Sequence, residues 1–310
     1  MTSICNKHAY LIMADSNFEQ LKILVELLDD PRNDIFIHID QKSSFDNRQE
    51  NITTNYSNLY FIPRIKVYWG GFSQILCELN LFEFASKQQS YSYYHLLSGK
   101  DLPLQTQDYI HDFFKQHQGK EFISFSSPED TEKTKAYNRV GHYHFFPELS
   151  TRSASTSIGV FLIKTFRYTE KILHQFFKID IFKKYNLKLG YGSNWISIDQ
   201  KFVDELINQK DTIIKIYKHS VFSDEIFIQT LILNNPELFK KNYTTTPNDY
   251  TKSNMRYIYF EDGAGSPNTW TLSDIDKLYS AQNQGFLFAR KFDTKIDANI
   301  IQTWIQHLKK

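Results

Sequence analysis

The stretch HAYLIMADSNFEQLKILVELLDDPRNDIFIHID, residues 8–40, decides the fold. It opens with an apolar run over 8–14, continues with apolar residues at helical spacing over 18–28, and closes with a second apolar run over 35–40. Asn17 stands where a helix N-cap is needed, directly before the helical spacing begins. The order strand, helix, strand is typical of an α/β protein with a largely parallel sheet.

The same alternation continues beyond this stretch. It predicts further strands at 59–62, 66–68, 93–97, 193–198, 256–260 and 286–290, and helices at 72–84, 109–116, 159–177, 200–206, 223–234 and 296–308. Between 127 and 186 the alternation weakens, which indicates a segment inserted over the sheet. No linker rich in Pro, Gly or Ser divides the chain, so we predict one domain over 1–310.

Composition excludes several classes of protein. The 310 residues are 41% hydrophobic and 23% charged, which is globular usage, and the net charge of +1 gives no electrostatic footprint for nucleic acid. Cys5 and Cys77 lie far apart and match no zinc-ligand spacing, which favours a reducing compartment. The first residues lack a leader pattern, and the longest apolar run, 158–163, is too short for a membrane span. We therefore expect a cytoplasmic, unanchored protein.

Common catalytic motifs are missing from the sequence. There is no P-loop, GxGxxG, GxSxG or HExxH, which argues against phosphate-loop, dinucleotide, serine-hydrolase and zincin chemistry. The one DxD, residues 274–276, follows Ser273 and precedes an amphipathic stretch. It fits a capped helix start better than a divalent-ion site, so no metal is expected.

Polar residues at predicted strand ends are the candidates for a ligand site. Asp40 closes the second strand, where its carboxylate could accept hydrogen bonds from a base or a ribose. Asp101, in the stretch SGKDLP, could take the hydroxyls of a bound sugar. Taken alone, an Asp in such a position is more often a turn residue, and the stretch around Asp101 is likewise a turn by composition.

Two further groups carry charge. Asp224 and Glu225 follow Ser223 and precede an apolar helix, so they are either first-turn acids behind a serine cap or a catalytic base facing a pocket. Arg290 and Lys291 close the last predicted strand and Arg256 opens the one before it. Cations brought to one end of a sheet would suit a diphosphate, although each could also be a solvated flank.

Seven segments in the same order resemble the core-2/I-branching β-1,6-N-acetylglucosaminyltransferase and peptide O-xylosyltransferase family. They are HAYLI (8–12), IHIDQKS (37–43), VYWGG (67–71), HLLSGKDLPL (95–104), GSNW (192–195), SDE (223–225) and FARKFD (288–293). The likeness runs nearly from end to end. It implies a GT-A-like sheet flanked by helices, inversion at the anomeric carbon, and protein cations in place of a metal at the diphosphate.

The resemblance also implies roles for individual residues. Glu225 matches the family's catalytic base, Asp40 its nucleotide-contacting aspartate and Lys291 its principal diphosphate lysine. Arg256 matches the second diphosphate cation less closely, across a stretch of variable length. The halves 1–126 and 127–310 would then bind the nucleotide and carry the acceptor and catalytic residues, respectively.

Six residues are assigned more loosely, to the donor or acceptor sugar. Asp101 and Trp195 match family positions near the two sugars, and Asp224 stands beside the expected base. Arg139, with His142 and Tyr143, lies in a segment that the family's acceptor loops do not match well, and these three are candidates for acceptor contact only.

The sequence thus predicts a metal-independent transferase with a UDP-sugar as co-substrate and GlcNAc as the first choice of sugar. A saccharide or lipid-linked saccharide is the expected acceptor. Animal members carry a membrane anchor and many cysteines, so this chain looks like a bacterial relative working in surface polysaccharide assembly at the inner face of the membrane, in peripheral contact with it. The alternative is a nucleotide-sugar-binding or carbohydrate-binding protein of the same fold without turnover.

Overall fold

The structure is a computed structural model that describes residues 6–46, 50–148, 156–261 and 266–309. Its main sheet has five strands in the order β3-β2-β1-β4-β6. Four of them run parallel and β6 runs antiparallel to β4. The strands are β1 (His8–Ala14), β2 (Asn33–Ile39), β3 (Asn58–Phe61), β4 (Tyr93–Ser98) and β6 (Ser197–Asp199).

A second, three-stranded sheet has the order β5-β8-β7. Strand β5 (Asp101–Pro103) pairs antiparallel with β8 (Phe288–Arg290), which pairs parallel with β7 (Arg256–Ile258). Because β5 follows β4 after a short turn, the second sheet begins at the carboxyl edge of the first.

Helices flank both sheets. They are α1 (Phe18–Leu28), α2 (Ser73–Gln88), α3 (Gln107–Gln116), α4 (Pro128–Lys133), α5 (Ala136–Val140), α6 (Ser157–Phe177), α7 (Ile181–Lys184), α8 (Gln200–Asn208), α9 (Lys210–Tyr217), α10 (Phe227–Leu233), α11 (Pro236–Phe239), α12 (Ile275–Asn283) and α13 (Ala298–Leu308). The predicted α/β class is confirmed. The long helix of the segment 127–186 is also confirmed.

The main sheet separates two hydrophobic cores. Ala9 and Leu11 of β1 belong to one core, and Tyr10 and Ile12 to the other, as the alternation of side chains along a strand requires. All four are fully buried. A strand buried on both faces is apolar throughout, which explains why the sequence of residues 8–14 predicts strand β1.

Local chemistry explains where elements begin. Asn17 is the N-cap of α1, and its side chain accepts a hydrogen bond from the backbone of Gln20, as predicted. Residues 66–68, predicted as a strand, form none. The backbone there bonds instead to side chains: Val67 N donates to Asp40 and Tyr68 N to Ser73.

Candidate active site

The turn after β2 carries Asp40, which is 7% exposed. Its carboxylate accepts hydrogen bonds from the backbone of Lys42 at 2.9 Å and of Val67 at 3.3 Å, and Lys42 Nζ lies 3.3 Å from its second oxygen. Arg64 braces the turn by donating to the carbonyls of Asp40 and Ser43. Asp40 is therefore both a turn residue and a rigidly held carboxylate at the carboxyl edge.

An open cleft of about 610 Å³ lies beside this turn. Its walls come from the loop between β1 and α1, from the turn that follows Asp40, and from Lys295; they include Asp15, Ser16, Asn17, Lys42 and Ser43. These polar side chains and the carboxyl edge of a parallel sheet suit a nucleoside.

The loop at residues 67–72 and the first turn of α2 connect Asp40 with the Asp224–Glu225 turn. Gln74 accepts from Gly70 N and donates to Asp224 Oδ2 at 2.9 Å. Gly70 has φ 74°, and a Cβ there would lie 2.4 Å from the Phe222 ring. Only glycine fits this position, which accounts for the first glycine of VYWGG.

The turn at residues 223–226 presents Glu225. Helix α10 begins only at Phe227 with no side-chain cap, so the expected serine cap at Ser223 is not formed. Glu225 is half-buried and accepts a hydrogen bond from Arg139 Nη1 at 3.0 Å. The carboxylate is thus fixed in direction without being enclosed, as a base that meets an incoming hydroxyl requires.

Behind Glu225 lie two buried carboxyl groups. Asp224 is 8% exposed, and burial together with neighbouring Glu225 raises its pKa to about 7. Glu78 of α2 is fully buried; burial and then Asp224 raise its pKa well above its ordinary value. Glu78 Oε1 accepts from Asn194 at 3.2 Å, whereas Oε2 has no hydrogen-bond partner. We call Glu78, Asp224 and Glu225 the carboxylate cluster.

Three cations gather at the carboxyl edge, where β4 leads into β5 and where β8 ends. Lys100, Arg290 and Lys291 form this cation cluster, and two carboxylates oppose them. Lys100 Nζ lies 3.1 Å from Asp293, and Arg290 Nη1 lies 2.9 Å from Asp101. Within the described ranges no carboxylate pairs with the Lys291 ammonium.

Burial, and then the charges of Arg290 and Lys100, lower the pKa of Lys291 from the ordinary lysine value, and the nearby charge of Asp293 opposes that shift. A bound anion would stabilise this partly buried cation, because two other cations repel it.

Asp101 does not present a free carboxylate. It is 2% exposed and accepts from Ser98 N and from Arg290, both at 2.9 Å. Burial raises its pKa, and Arg290 opposes that shift. Its role in this structure is to position Arg290, whose guanidinium lies 4.4 Å from the centroid of the Trp195 ring.

Arg256 does not join the cation cluster. It starts β7 and pairs in parallel register with Phe288, whereas Arg290 pairs with Ile258, so the two arginines stand at opposite ends of paired strands. Arg256 is 6% exposed and donates to the carbonyls of Asn254 and Ile196 and to the Ser197 hydroxyl. In this structure it braces the junction between the sheets, and its contact with a diphosphate stays a prediction.

Of the acceptor candidates, the structure brings Arg139 to Glu225 but not the other two. His142 stacks on His174 at 5.0 Å, and Tyr143 packs edge-on against His219 at 5.7 Å. Both belong to the inserted segment.

The segment GSNW, residues 192–195, joins the two clusters. Gly192 N donates to Glu225 O at 2.9 Å, Asn194 bonds Glu78, and Trp195 stacks under Arg290. Four consecutive residues therefore contact both the cations and the carboxylates. A Cβ on Gly192 would lie 2.1 Å from Ser124 O, so glycine is required for this close approach.

Sequence reasoning did not single out Gln74, Glu78 or Lys100. Glu78 left a signal, since a charged residue inside the apolar stretch ILCELNLF is anomalous. Lys100 stood inside the motif SGKDLP, but its charge was not counted. Residues 274–276 do start a helix: Asp274 forms a capping box with Thr271. Within the part of the chain that the structure describes, no three His, Cys, Asp or Glu side chains form a metal-binding group.

A carboxylate held above buried acids and a cation cluster at the carboxyl edge of an α/β sheet are features of a sugar-nucleotide site. The chain belongs to the Core-2/I-branching enzyme family, whose model matches residues 8–279. The predicted membership of this glycosyltransferase family is confirmed.

Curated relatives include "Xylosyltransferase oxt" of Drosophila pseudoobscura pseudoobscura, 22% identical over 91% of this chain and 31% of its own length. Another is "Xylosyltransferase" of Ciona intestinalis, 22% identical over 94% of this chain and 32% of its own. The chain thus spans about a third of the length of the curated relatives it matches. Among solved structures, apo mouse xyloside xylosyltransferase 1 aligns with a TM-score of 0.35 and 8% identity, over 74% of this chain and 83% of its own.

Proposed function

We propose that the protein is an inverting glycosyltransferase that moves a sugar from a UDP-sugar to a hydroxyl of a saccharide acceptor. The observation that carries this proposal is that the segment 192–195 contacts both clusters. Gly192 and Asn194 bond residues of the carboxylate cluster, and Trp195 stacks on Arg290 of the cation cluster. Sugar transfer from a nucleotide needs both: cations for the leaving diphosphate and a base for the acceptor hydroxyl.

In the proposed reaction, the Glu225 carboxylate takes the proton of the acceptor hydroxyl. The acceptor oxygen forms a bond to the anomeric carbon as the bond from that carbon to the UDP oxygen breaks, and UDP leaves with the electron pair. Lys291 opposes the charge that develops on the diphosphate, while Arg290 and Lys100 add to the positive potential. Asp40 holds the nucleoside at the cleft beside it.

The donor sugar is the finer part of the proposal. The sequence resemblance favours GlcNAc, whereas the Drosophila and Ciona relatives are named as xylosyltransferases. UDP-GlcNAc and UDP-xylose are therefore the two donors to test first. The setting we propose is bacterial surface polysaccharide assembly, with the protein in the cytoplasm.

A panel of UDP-sugars tests the proposal. A donor present at about one hundred times its dissociation constant should stabilise the fold by about 2.7 kcal/mol, whereas GDP-sugars should not. With the stabilising donor, release of UDP should rise when saccharide acceptors are added. Stabilisation without UDP release or transfer for any acceptor would favour the alternative, a nucleotide-sugar-binding protein. The absence of stabilisation by every UDP-sugar would contradict both.

A further inference from the structure

Among the described elements, helix α6 (Ser157–Phe177) exposes the most large hydrophobic side chains. Of the eighteen large hydrophobic side chains that are exposed among the described residues, nine lie on this one helix. The six most exposed, at 60% to 79%, are Ile158, Phe161, Leu162, Tyr168, Phe176 and Phe177. None of the helix's described side chains belongs to either hydrophobic core.

Polar contacts hold the opposite side of this helix to the body. Glu170 is 2% exposed and accepts from Phe145 N, outside the helix, at 2.8 Å; Arg167 of the same helix also donates to it, at 2.9 Å. His174, 6% exposed, stacks on His142. An amphipathic helix normally turns its apolar face inward; here the inner face is anchored by a carboxylate and an imidazole, and the apolar face points outward.

The net positive charge around this apolar face favours an anionic partner. Residues 156–190 contain seven lysines and arginines and two acidic residues, a net charge of +5 in a chain whose total is +1. Lys164 and Lys171 are exposed on the helix itself, and Lys178 is exposed just beyond its end. A second copy would bring two such surfaces together at an electrostatic cost, whereas an anionic surface would be attracted.

We propose that α6 lies in the headgroup region of an anionic lipid membrane, with Ile158, Phe161, Ile172 and Phe176 inserted. Phenylalanines at helical spacing with lysines beside them are the features of an interfacial helix. No helix among the described residues is both long enough and apolar enough to span a bilayer, and docking parallel to the membrane requires neither property.

The docking would also determine the acceptor. Through His142 the helix is fixed to the segment 136–148, which supplies Arg139, the partner of Glu225. The acceptor side of the site is therefore carried by the same segment as the membrane-facing helix. Resting on the proposed function, this deepens it: the acceptor saccharide would be attached to a lipid of the membrane.

Vesicle flotation tests the surface. The parent should float with vesicles of phosphatidylcholine and phosphatidylglycerol, more weakly with phosphatidylcholine alone, and less as salt rises. The triple variant Phe161→Ser, Ile172→Ser, Phe176→Ser should bind at least about tenfold more weakly. Its matched control changes three exposed side chains elsewhere, Tyr56→Ser, Phe260→Ser and Ile296→Ser, and should bind like the parent.

A second pair of variants tests the charge. Lys164→Glu with Lys171→Glu should lose binding to the anionic vesicles, whereas Lys201→Glu with Lys215→Glu, both exposed on other helices, should keep it. All four variants should retain the parent's thermal unfolding and UDP affinity.

The proposal is overturned if the parent binds neither vesicle, if control variants lose as much binding as the α6 variants, or if sedimentation shows an α6-dependent dimer without vesicle binding. Failure of the proposed function is a separate result, since it would appear as absent UDP-sugar binding while flotation is unchanged.

Discussion

Residues 192–195 join the cation cluster and the carboxylate cluster. The first has an excess of positive charge, and the second has an excess of carboxyl groups. The first sets Lys100, Arg290 and Lys291 against two carboxylates and leaves the Lys291 ammonium without one. The second sets three carboxyl groups against a single guanidinium, that of Arg139. A free diphosphate would correct the first imbalance and a proton from an acceptor the second. Each excess of charge thus marks what its end of the site is expected to bind.

The two clusters also differ in how they are supported. The cations lie at strand ends, with Lys100 in the turn between β4 and β5, Arg290 at the end of β8 and Lys291 directly after it. Asp101 and Trp195 hold Arg290 in place. Glu225 stands on a turn and is held by Arg139 from the inserted segment. The comparison predicts that changes at the carboxylate end act on rate, while changes at the cation end act on donor affinity.

The largest expected effect is that of Glu225→Gln. The amide keeps an oxygen that can accept from Arg139 but cannot take a proton, so transfer should fall by about a hundred- to ten-thousand-fold. Affinity for UDP, measured by calorimetry, should remain that of the parent. Glu129→Gln, at an exposed carboxylate, is the control. Transfer at the parental rate would show that the base lies elsewhere, with Asp224 the next candidate.

The second effect separates two neighbouring cations. Lys291→Ala removes the unpaired ammonium and should weaken UDP binding by about 1.5 to 3 kcal/mol, a loss of roughly ten- to over a hundredfold in affinity. Its thermal unfolding should hardly change. Arg290→Ala should weaken binding less and lower the unfolding temperature more, because Asp101 is then left buried without its guanidinium.

Calorimetry and thermal unfolding on the same two variants decide the assignment. A larger loss of UDP affinity in Arg290→Ala than in Lys291→Ala would reverse it. Parental affinity in Lys291→Ala would remove this lysine from the diphosphate site altogether.

The third effect concerns the pH dependence of stability. The pKa of Asp224 is raised to about 7, so its contribution to stability is present at acidic pH and is lost as pH rises toward neutrality. The pKa of Glu78 is also raised, so its contribution to stability is lost with rising pH as well. The charge of Arg139 opposes the rise in the pKa of Asp224. Asp224→Asn should therefore gain stability relative to the parent between about pH 5 and pH 8, by about 1 to 3 kcal/mol.

Urea denaturation at the two pH values measures this difference. The asparagine can still accept from Gln74, so the variant should keep its fold. Asp211→Asn, at an exposed carboxylate, should leave the pH profile of the parent unchanged. A parallel profile for Asp224→Asn and parent would mean that Asp224 ionises normally despite its burial.

The same comparison shows what the sequence could and could not predict. The ends of strands could be predicted because buried parallel strands are continuously apolar. The ends of two such apolar runs gave the positions of Asp40 and Arg290. Strand pairing could not be predicted from the sequence. Arg256 and Arg290 were both placed at one end of the sheet, whereas the parallel pairing of β7 with β8 puts them at opposite ends of the two strands. Glu78 is a second example. The sequence shows that a charged residue stands inside an apolar helix, but it does not show that Asp224, far along the chain, lies beside it.

The smallest expected effect is that of a chelator, and it is expected to be nil. Metal-dependent transferases use a divalent cation to neutralise the departing diphosphate. Here the Lys291 ammonium, with Lys100 and Arg290 beside it, already supplies positive charge at that end of the site. The DxD of residues 274–276 is otherwise engaged, since Asp274 bonds Thr271 and Lys277 at the start of α12. Transfer measured in excess EDTA should match transfer in EDTA presaturated with magnesium. Loss of transfer with EDTA and its rescue by manganese would contradict this, and would direct attention to the Asp40 and Asp101 carboxylates as metal ligands.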